Sequence, residues 1–398
     1  MAQRYIFSFT GLWLFFSLAS AQTFDDLFAA SRTAFEQGRS AEYMKLAEQA
    51  RRLEPSNPYA MVNLARAYAM NGQKTKCIEL LDDIAVIGFD FDIEHDSGFQ
   101  NIRHHSLLKD ILAKGKQKAH VVNSEIVQTL PDTSFVSGGL GYNPRTKKFF
   151  IANSSSGTIR MLNPVDGSAE QISQFETNHP ASIQSIRIDA ARNLLWVCGT
   201  DSTGMPGLLR YDLDDEEGPK RFPCSAGGGD IAFLPSGDLV LADRGDNGID
   251  KFSMTEEKFV RWFSDPRIVH PSGIAVSPDQ HYLFVSTSSG IARISISDTS
   301  MVFLTAPPKV PLNGIDGIGF FQGNLIAIQN NAGPQARIMK FGLNEKMDGV
   351  KAAEVLESGN SLYETISAGT IAGDDLYFLG NLQKSTAPLL LLRISLAE

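Results

Sequence analysis

Beyond its N-terminus this 398-residue chain has no long apolar run, so no later segment is predicted to span a bilayer. Cysteine is scarce. Cys77, Cys198 and Cys224 are an odd number without close spacing, which excludes a disulfide framework. Cys77 falls on a predicted helix and Cys198 on an apolar strand, and both read as small buried hydrophobes. A Cys198–Cys224 bridge stays open for an oxidising compartment. Positive charge is not in excess: 36 Lys and Arg against 45 Asp and Glu give a net charge of −9, which argues against a nucleic-acid partner. Low-complexity tracts, a Gly-x-Ser-x-Gly elbow, a zinc-binding helix motif and a phosphate loop are all missing. The glycine-rich "SAGGGD" (225–230) precedes a strand rather than a helix, so it is not read as a phosphate cradle.

What is present begins with "MAQRYIFSFTGLWLFFSLASAQ". Arg4 is a positive n-region, Ile6 to Leu18 an apolar h-region, and Ala19-Ser20-Ala21 a small-x-small cleavage site. Residues 1–21 are expected to be a signal peptide; an N-terminal membrane anchor is the alternative. The mature protein is then expected to be exported, secreted or periplasmic, with no membrane span.

Residues 22–118 predict a small all-α domain. Gly38 and Gly72 break two helical stretches 34 residues apart, and at the same offset Leu27 maps onto Met61, Ala30 onto Leu64 and Ala34 onto Tyr68. This segment resembles the tetratricopeptide repeat, with Tyr68 and Pro55 at the repeat's tyrosine and closing-proline positions. Two repeats are few for a free-standing solenoid, so the segment is expected to dock on its own C-terminal domain or on a partner protein. The acidic Asp90, Asp92, Glu94 and Asp96 lack the order of a calcium loop and read as a solvated turn.

From about residue 121 the apolar period switches to two. Residues 119–398 repeat one grammar six times: short strand, Pro or Asp-Gly turn, strongly apolar strand, polar loop, third strand. Examples are "GDIAFLPSGDLVLADRGDNGIDKFSM" and "SGIAVSPDQHYLFVSTSSGIARISI". A repeat of about 40–50 residues with four strands per unit predicts a six-bladed β-propeller, so the fold class is mainly β with a small helical domain in front. The sixth copy ends the chain after its third strand. "SEIVQTL" (124–130) is expected to supply the fourth and close the ring, which removes an open sheet edge.

In a propeller, loops leading into the inner strands and loops leaving the second strands open on one face. The first set carries Gly138, Gln184, Asp230, Ser272, Asp316 and Thr370. The second carries Asn153, Asp201, Asp243 with Arg244 and Asp246, Thr287, Asn330 and Asn381. Together they predict a mouth lined by carboxylate and amide oxygens, able to hold a divalent cation such as calcium or a polyhydroxylated ligand. A purely structural reading, in which Asp230 and Asp316 tie neighbouring blades through backbone N–H groups, stands beside it. His179 and His270 lie in loops on the same side, as general bases or as rim hydrogen-bonders.

"PSGIAVSPDQHYLFVSTSSG" and "DGIGFFQGNLIAIQN" resemble the gluconolactonase, senescence-marker-protein and luciferin-regenerating family of six-bladed propellers. The resemblance implies a divalent metal held in the channel by a Glu, two Asn and an Asp, and lactone hydrolysis with that Asp as base. Carried across, it makes Asp316 the base and a metal ligand, with Asp230 as a supporting acid and second metal ligand. Ser272 stands where an asparagine is expected, Gly138 or Gly139 where the glutamate is, and Gly229 near the other asparagine. Two readings follow. One is binding of a small polar or sugar-derived ligand through Asp230, Ser272, Asn153, Asp243, Asn330 and Asn381, with or without hydrolase chemistry at Asp316. The other is a non-catalytic, NHL-like scaffold that engages a protein partner through the helical repeats.

Overall fold

A computed structural model describes residues 23–130, 136–171, 180–215, 218–224, 228–381 and 388–397. The expected signal segment and His179 lie outside these residues. So does part of the glycine-rich "SAGGGD". Among the described residues no helix is long and apolar enough to cross a membrane.

Six four-stranded antiparallel sheets form in chain order, and each buries one face against the next. Alternation is the cause: in Leu239–Asp243 of blade three, Val240 and Ala242 join the seam with blade four, while Leu239 and Leu241 join the seam with blade two. An apolar cluster fills each of the six blade-to-blade seams. Cys198 and Cys224 are buried in the seam between blades two and three with no disulfide between them, and burial pushes the Cys198 thiol up to about 12.

The ring closes as the sequence predicts. Strand Glu125–Leu130 pairs antiparallel with the last strand, Leu389–Ser395, and completes blade six. The approach to this strand is anchored by fully buried Glu357. Its carboxylate accepts from the backbone N–H of Asn123 (2.7 Å) and Ser124 (3.0 Å), and from the side chains of Ser124, Asn360 and Tyr363. Five donors offset the cost of burying the charge. Burial, together with the adjacent Glu357 carboxylate, raises the Tyr363 phenol well above its ordinary range.

Ahead of the propeller lie five helices: α1 (Phe24–Glu36), α2 (Ser40–Leu53), α3 (Pro58–Met70), α4 (Lys74–Ile87) and α5 (Leu108–Ala119). Gly38 and Gly72 adopt φ of +69° and +73° in the turns between paired helices. An added Cβ would meet nothing at either, so backbone conformation alone calls for glycine. Phe89 to Asp96 is not helical. Asp92 is exposed beside His95, as a solvated turn requires, whereas Asp96 pairs with Arg66 at 2.6 Å.

The helices dock on blade five. Phe89 lies over the Arg337 guanidinium at 3.9 Å, and Arg337 Nη1 donates to the Ile87 carbonyl at 3.2 Å. Arg337 is 1% exposed, and burial pushes its guanidinium down to about 9. Gln335 and Asp90 exchange two hydrogen bonds, and Lys309 pairs with Asp83 at 2.7 Å. An added Cβ at Gly333 would sit 2.1 Å from the Phe89 ring, so this contact admits only glycine. Of the two expected docking partners, the chain's own propeller is the one observed.

Candidate functional site

One cavity of about 770 Å³ runs along the propeller axis and takes residues from all six inner strands. It falls within the ~300–1,000 Å³ of small-molecule sites. A backbone irregularity repeated in four blades sets its rim. In blade five the inner strand Ile315–Phe321 pairs Ile315 with Gln329 and Gly317 with Ile328, and Asp316 is left unpaired as a β-bulge. The same slip leaves out Gly138 in blade one, Gln184 in blade two and Ser367 in blade six. A bulge breaks the alternation of the strand and re-aims the extra residue. All four line the cavity, as do Asp230 and Ser272, which precede the shorter inner strands of blades three and four.

The bulge accounts for an acid between strand residues in "LNGIDGIGF": the side chain is turned out of the sheet and onto the axis. Blade six corrects the expectation for Thr370. That residue pairs with Tyr377 near the far end of its strand, and Ser367 is the residue at the rim. The stretch "SAGTIAG" has too little apolar contrast to fix its register from sequence.

Around the rim the polar groups are laced together. Asp316 Oδ2 accepts from Asn330 Nδ2 at 2.8 Å and Asn331 Nδ2 at 3.2 Å. The Asn330 amide is oriented by blade six, where its Oδ1 accepts from Ile366 N–H and its Nδ2 donates to the Ile366 carbonyl. The Ser272 hydroxyl donates to the Asp316 carbonyl at 3.1 Å, and the Arg244 guanidinium donates to the Ser272 hydroxyl. Asp230 pairs with Arg187 at 2.6 Å, and its Oδ1 accepts from Ile231 N–H at 2.9 Å. Asp230 Oδ2 also meets Ile274 N–H at 3.5 Å. Asp230 thus serves both the cavity and the junction between blades.

Arg187 was not picked out from sequence. Its signal is a charge at a channel-facing position within the otherwise apolar "SIRI".

The second-strand ends behave differently. Asn153 is buried, and its side-chain oxygen accepts from Ser155 N–H at 3.0 Å. Asp201 accepts from the Thr203 hydroxyl at 2.6 Å, from Met205 N–H at 3.0 Å and from Thr203 N–H at 2.9 Å, and these turn hydrogen bonds lower its carboxyl to about 2. Asp243 is 0% exposed, accepts from Gly245 N–H at 3.0 Å and pairs with Arg261 at 2.7 Å. Thr287 Oγ1 accepts from Ser289 N–H at 3.3 Å. In four blades, then, the same position closes the next turn onto the N–H two residues ahead. None of the four lines the cavity, and neither does Asn381, whose backbone carbonyl accepts from Glu364 N–H. This corrects the placement of Asn153, Asp243 and Asn381 at the mouth. Exposed His270 also lies away from the cavity lining.

Gln329 at the end of "NLIAIQNN" is fully buried too. It donates to the carbonyls of Pro311 and Asn313 and accepts from Arg337. Only Asn330 and Asn331 reach the rim.

The rim is a poor match to a divalent-metal cage. A hard cation takes several convergent oxygens. Here the Asp230 carboxylate faces a guanidinium and the Asp316 carboxylate faces amide N–H groups, with the Arg244 guanidinium nearby. Among the described residues no three His, Cys, Asp or Glu side chains are grouped so as to hold a metal ion.

Fold and cavity define the chain as a six-bladed β-propeller whose axial cavity is rimmed by carboxylate, amide and guanidinium groups. Neither a protein-family model nor a curated protein sequence matches it. Its structural neighbours are propeller enzymes. A gluconolactonase from Xanthomonas campestris superposes with a TM-score of 0.50 at 17% identity, over 70% of this chain and 92% of that one. A luciferin-regenerating enzyme gives 0.50 at 14% identity, over 68% and 94%. A catalytically inactive virginiamycin B lyase from Staphylococcus aureus with quinupristin gives 0.50 at 16% identity, over 68% and 99%. Likeness at this level of identity is a likeness of fold.

Proposed function

We propose that the protein binds a small molecule at the mouth of the propeller channel through a polar, hydrogen-bonding head such as that of a sugar acid. The observation that carries this reading is the convergence of Asp230, Arg187, Arg244, Ser272, Asp316 and Asn330 on one cavity. A few polar groups converging on a concave cavity with apolar walls is the usual make-up of a small-molecule site. The Asn330 and Asn331 amides hold Asp316 in place, so its carboxylate is pre-organised for a hydroxyl donor.

A lactone hydrolase is the sharper version of the same reading, and the gluconolactonase among the neighbours supports it at the level of fold. In that version Asp316 takes a proton from water as the water attacks the carbonyl carbon and the Arg244 guanidinium receives the developing oxyanion; collapse of the adduct breaks the ring C–O bond, and Asp316 returns the proton to the leaving oxygen. Export of the mature chain rests on residues 1–21 and belongs to the same proposal.

Titration of gluconate and gluconolactone into the protein and into Asp316→Asn tests it. We expect affinity for gluconate to fall by about 10-fold or more in the variant, since a charge-assisted hydrogen bond is lost. Addition of EDTA should leave wild-type affinity unchanged. Equal affinities in the two proteins would remove Asp316 from the site. If neither ligand binds either protein, the scaffold reading, in which a protein partner is engaged through the helices, is the one left standing.

A further inference from the structure

The cavity does not stay polar along its length. Three or four residues past each rim position, the inner strands of blades three to six present Phe233, Val276, Phe320 and Ile371 to the same cavity. At about 3.3 Å per residue this apolar belt lies roughly 10–13 Å below the rim. Ile326 and Leu376 add to the apolar wall.

At the rim, Arg244 donates only to the Ser272 hydroxyl, and among the described residues no carboxylate stands within ion-pairing distance of it. Arg187, by contrast, is neutralised by Asp230. The Asp316 carboxylate accepts from the Asn330 and Asn331 amides and retains lone pairs for a further donor. A sugar acid would satisfy the rim and leave the belt in contact with water. A plain alcohol would fill the belt and leave Arg244 without a counter-charge.

We infer that the natural occupant is an anionic amphiphile: a carboxylate with a neighbouring hydroxyl, carried on an alkyl or aryl-alkyl body. The carboxylate pairs with Arg244, the hydroxyl donates to Asp316, and the body lies against the belt of Phe233, Val276, Phe320 and Ile371. This rests on the channel-mouth reading and narrows it to a substrate class.

Calorimetric titration with β-hydroxydecanoate, β-hydroxybutyrate and gluconate tests the class. Each buried methylene is worth about fourfold in affinity, so the long acid should bind at least about 100-fold tighter than the short one. Arg244→Gln, at an exposed position, should weaken both hydroxy acids by about 10-fold. Val276→Thr should weaken only the long one, with thermal melts confirming that each variant is folded. If the two hydroxy acids and gluconate bind equally, the amphiphile inference falls and the channel-mouth reading stands. If none of the three binds, both fall. Should Val276→Thr fail to fold, the chain-length series on the wild-type protein decides alone.

Discussion

The starts of the inner strands and the ends of the second strands draw on the same residue types, Asp, Asn, Gln, Ser and Thr, yet the first ring lines the cavity in all six blades and the second reaches it only through Arg244, Asn330 and Asn331. At the inner strands a bulge, or the residue just ahead of a shortened strand, turns the side chain onto the axis. At the second strands the side chain curls back onto the turn that follows. In four of the six blades one polar group closes the turn whatever the protein binds. An acid that recurs at a fixed place in every blade is therefore repeat grammar first. The informative acids are those with donors from another part of the rim, as Asp316 has from Asn330 and Asn331.

Substitutions that separate stability from binding can break this contrast. The largest effect is expected at Asp243, where Asp243→Ala removes a buried acid that pairs with Arg261 and closes a turn. It should cost about 2–4 kcal/mol in a urea titration, less than a fully buried pair because Asp250 still holds Arg261. Affinity for ligands at the channel should not change; a loss there would move Asp243 into the site. Asn153→Ala removes a side-chain bond to the Ser155 N–H and should cost about 1 kcal/mol, again without effect on binding.

The smallest effect sharpens the comparison through pH. The Asp201 carboxyl is lowered to about 2 by bonds from Thr203 and Met205, so the folded state favours its ionised form. Whatever stability this supplies is fully present above the ordinary value of 3.8 and is lost as pH falls through about 2. NMR titration of the side-chain carboxyl should show that midpoint, and Thr203→Val should move it upward. An unchanged midpoint would mean that the turn does not hold the carboxylate.

Blade five joins the two halves of the molecule. Its long loop after Gln329 carries Asn330 and Asn331 to the rim and, a few residues later, Gly333 and Gln335 to the helices. The helical layer braces the segment that positions Asp316. The close approach of Phe89 to Gly333, with Arg337 sealed beneath it, fixes that loop from the outside.

Much of this was written in local patterns. The glycines at 38 and 72 mark the helix turns because only the backbone torsion matters there. The strand at 125–130 closes the ring because it pairs with Leu389–Ser395 and so covers an edge that would otherwise lie open. The placements of Asp230, Ser272 and Asp316 on one axis follow from the repeat. Arg187, Glu357 and Arg337 were not legible, because each finds its partners far along the chain: Asp230 for the first, residues 123–124 for the second, Ile87 and Phe89 for the third.

Periodicity and turn chemistry determined the number of blades, the order of their strands and the presence of a helical layer, since these depend on contacts between residues near in sequence. Which polar side chains face the axis, which of them are neutralised and how far the apolar belt lies below them were decided only when the ring closed. A one-residue slip in a strand changes nothing in composition, yet it turns a side chain from one face of the sheet to the channel.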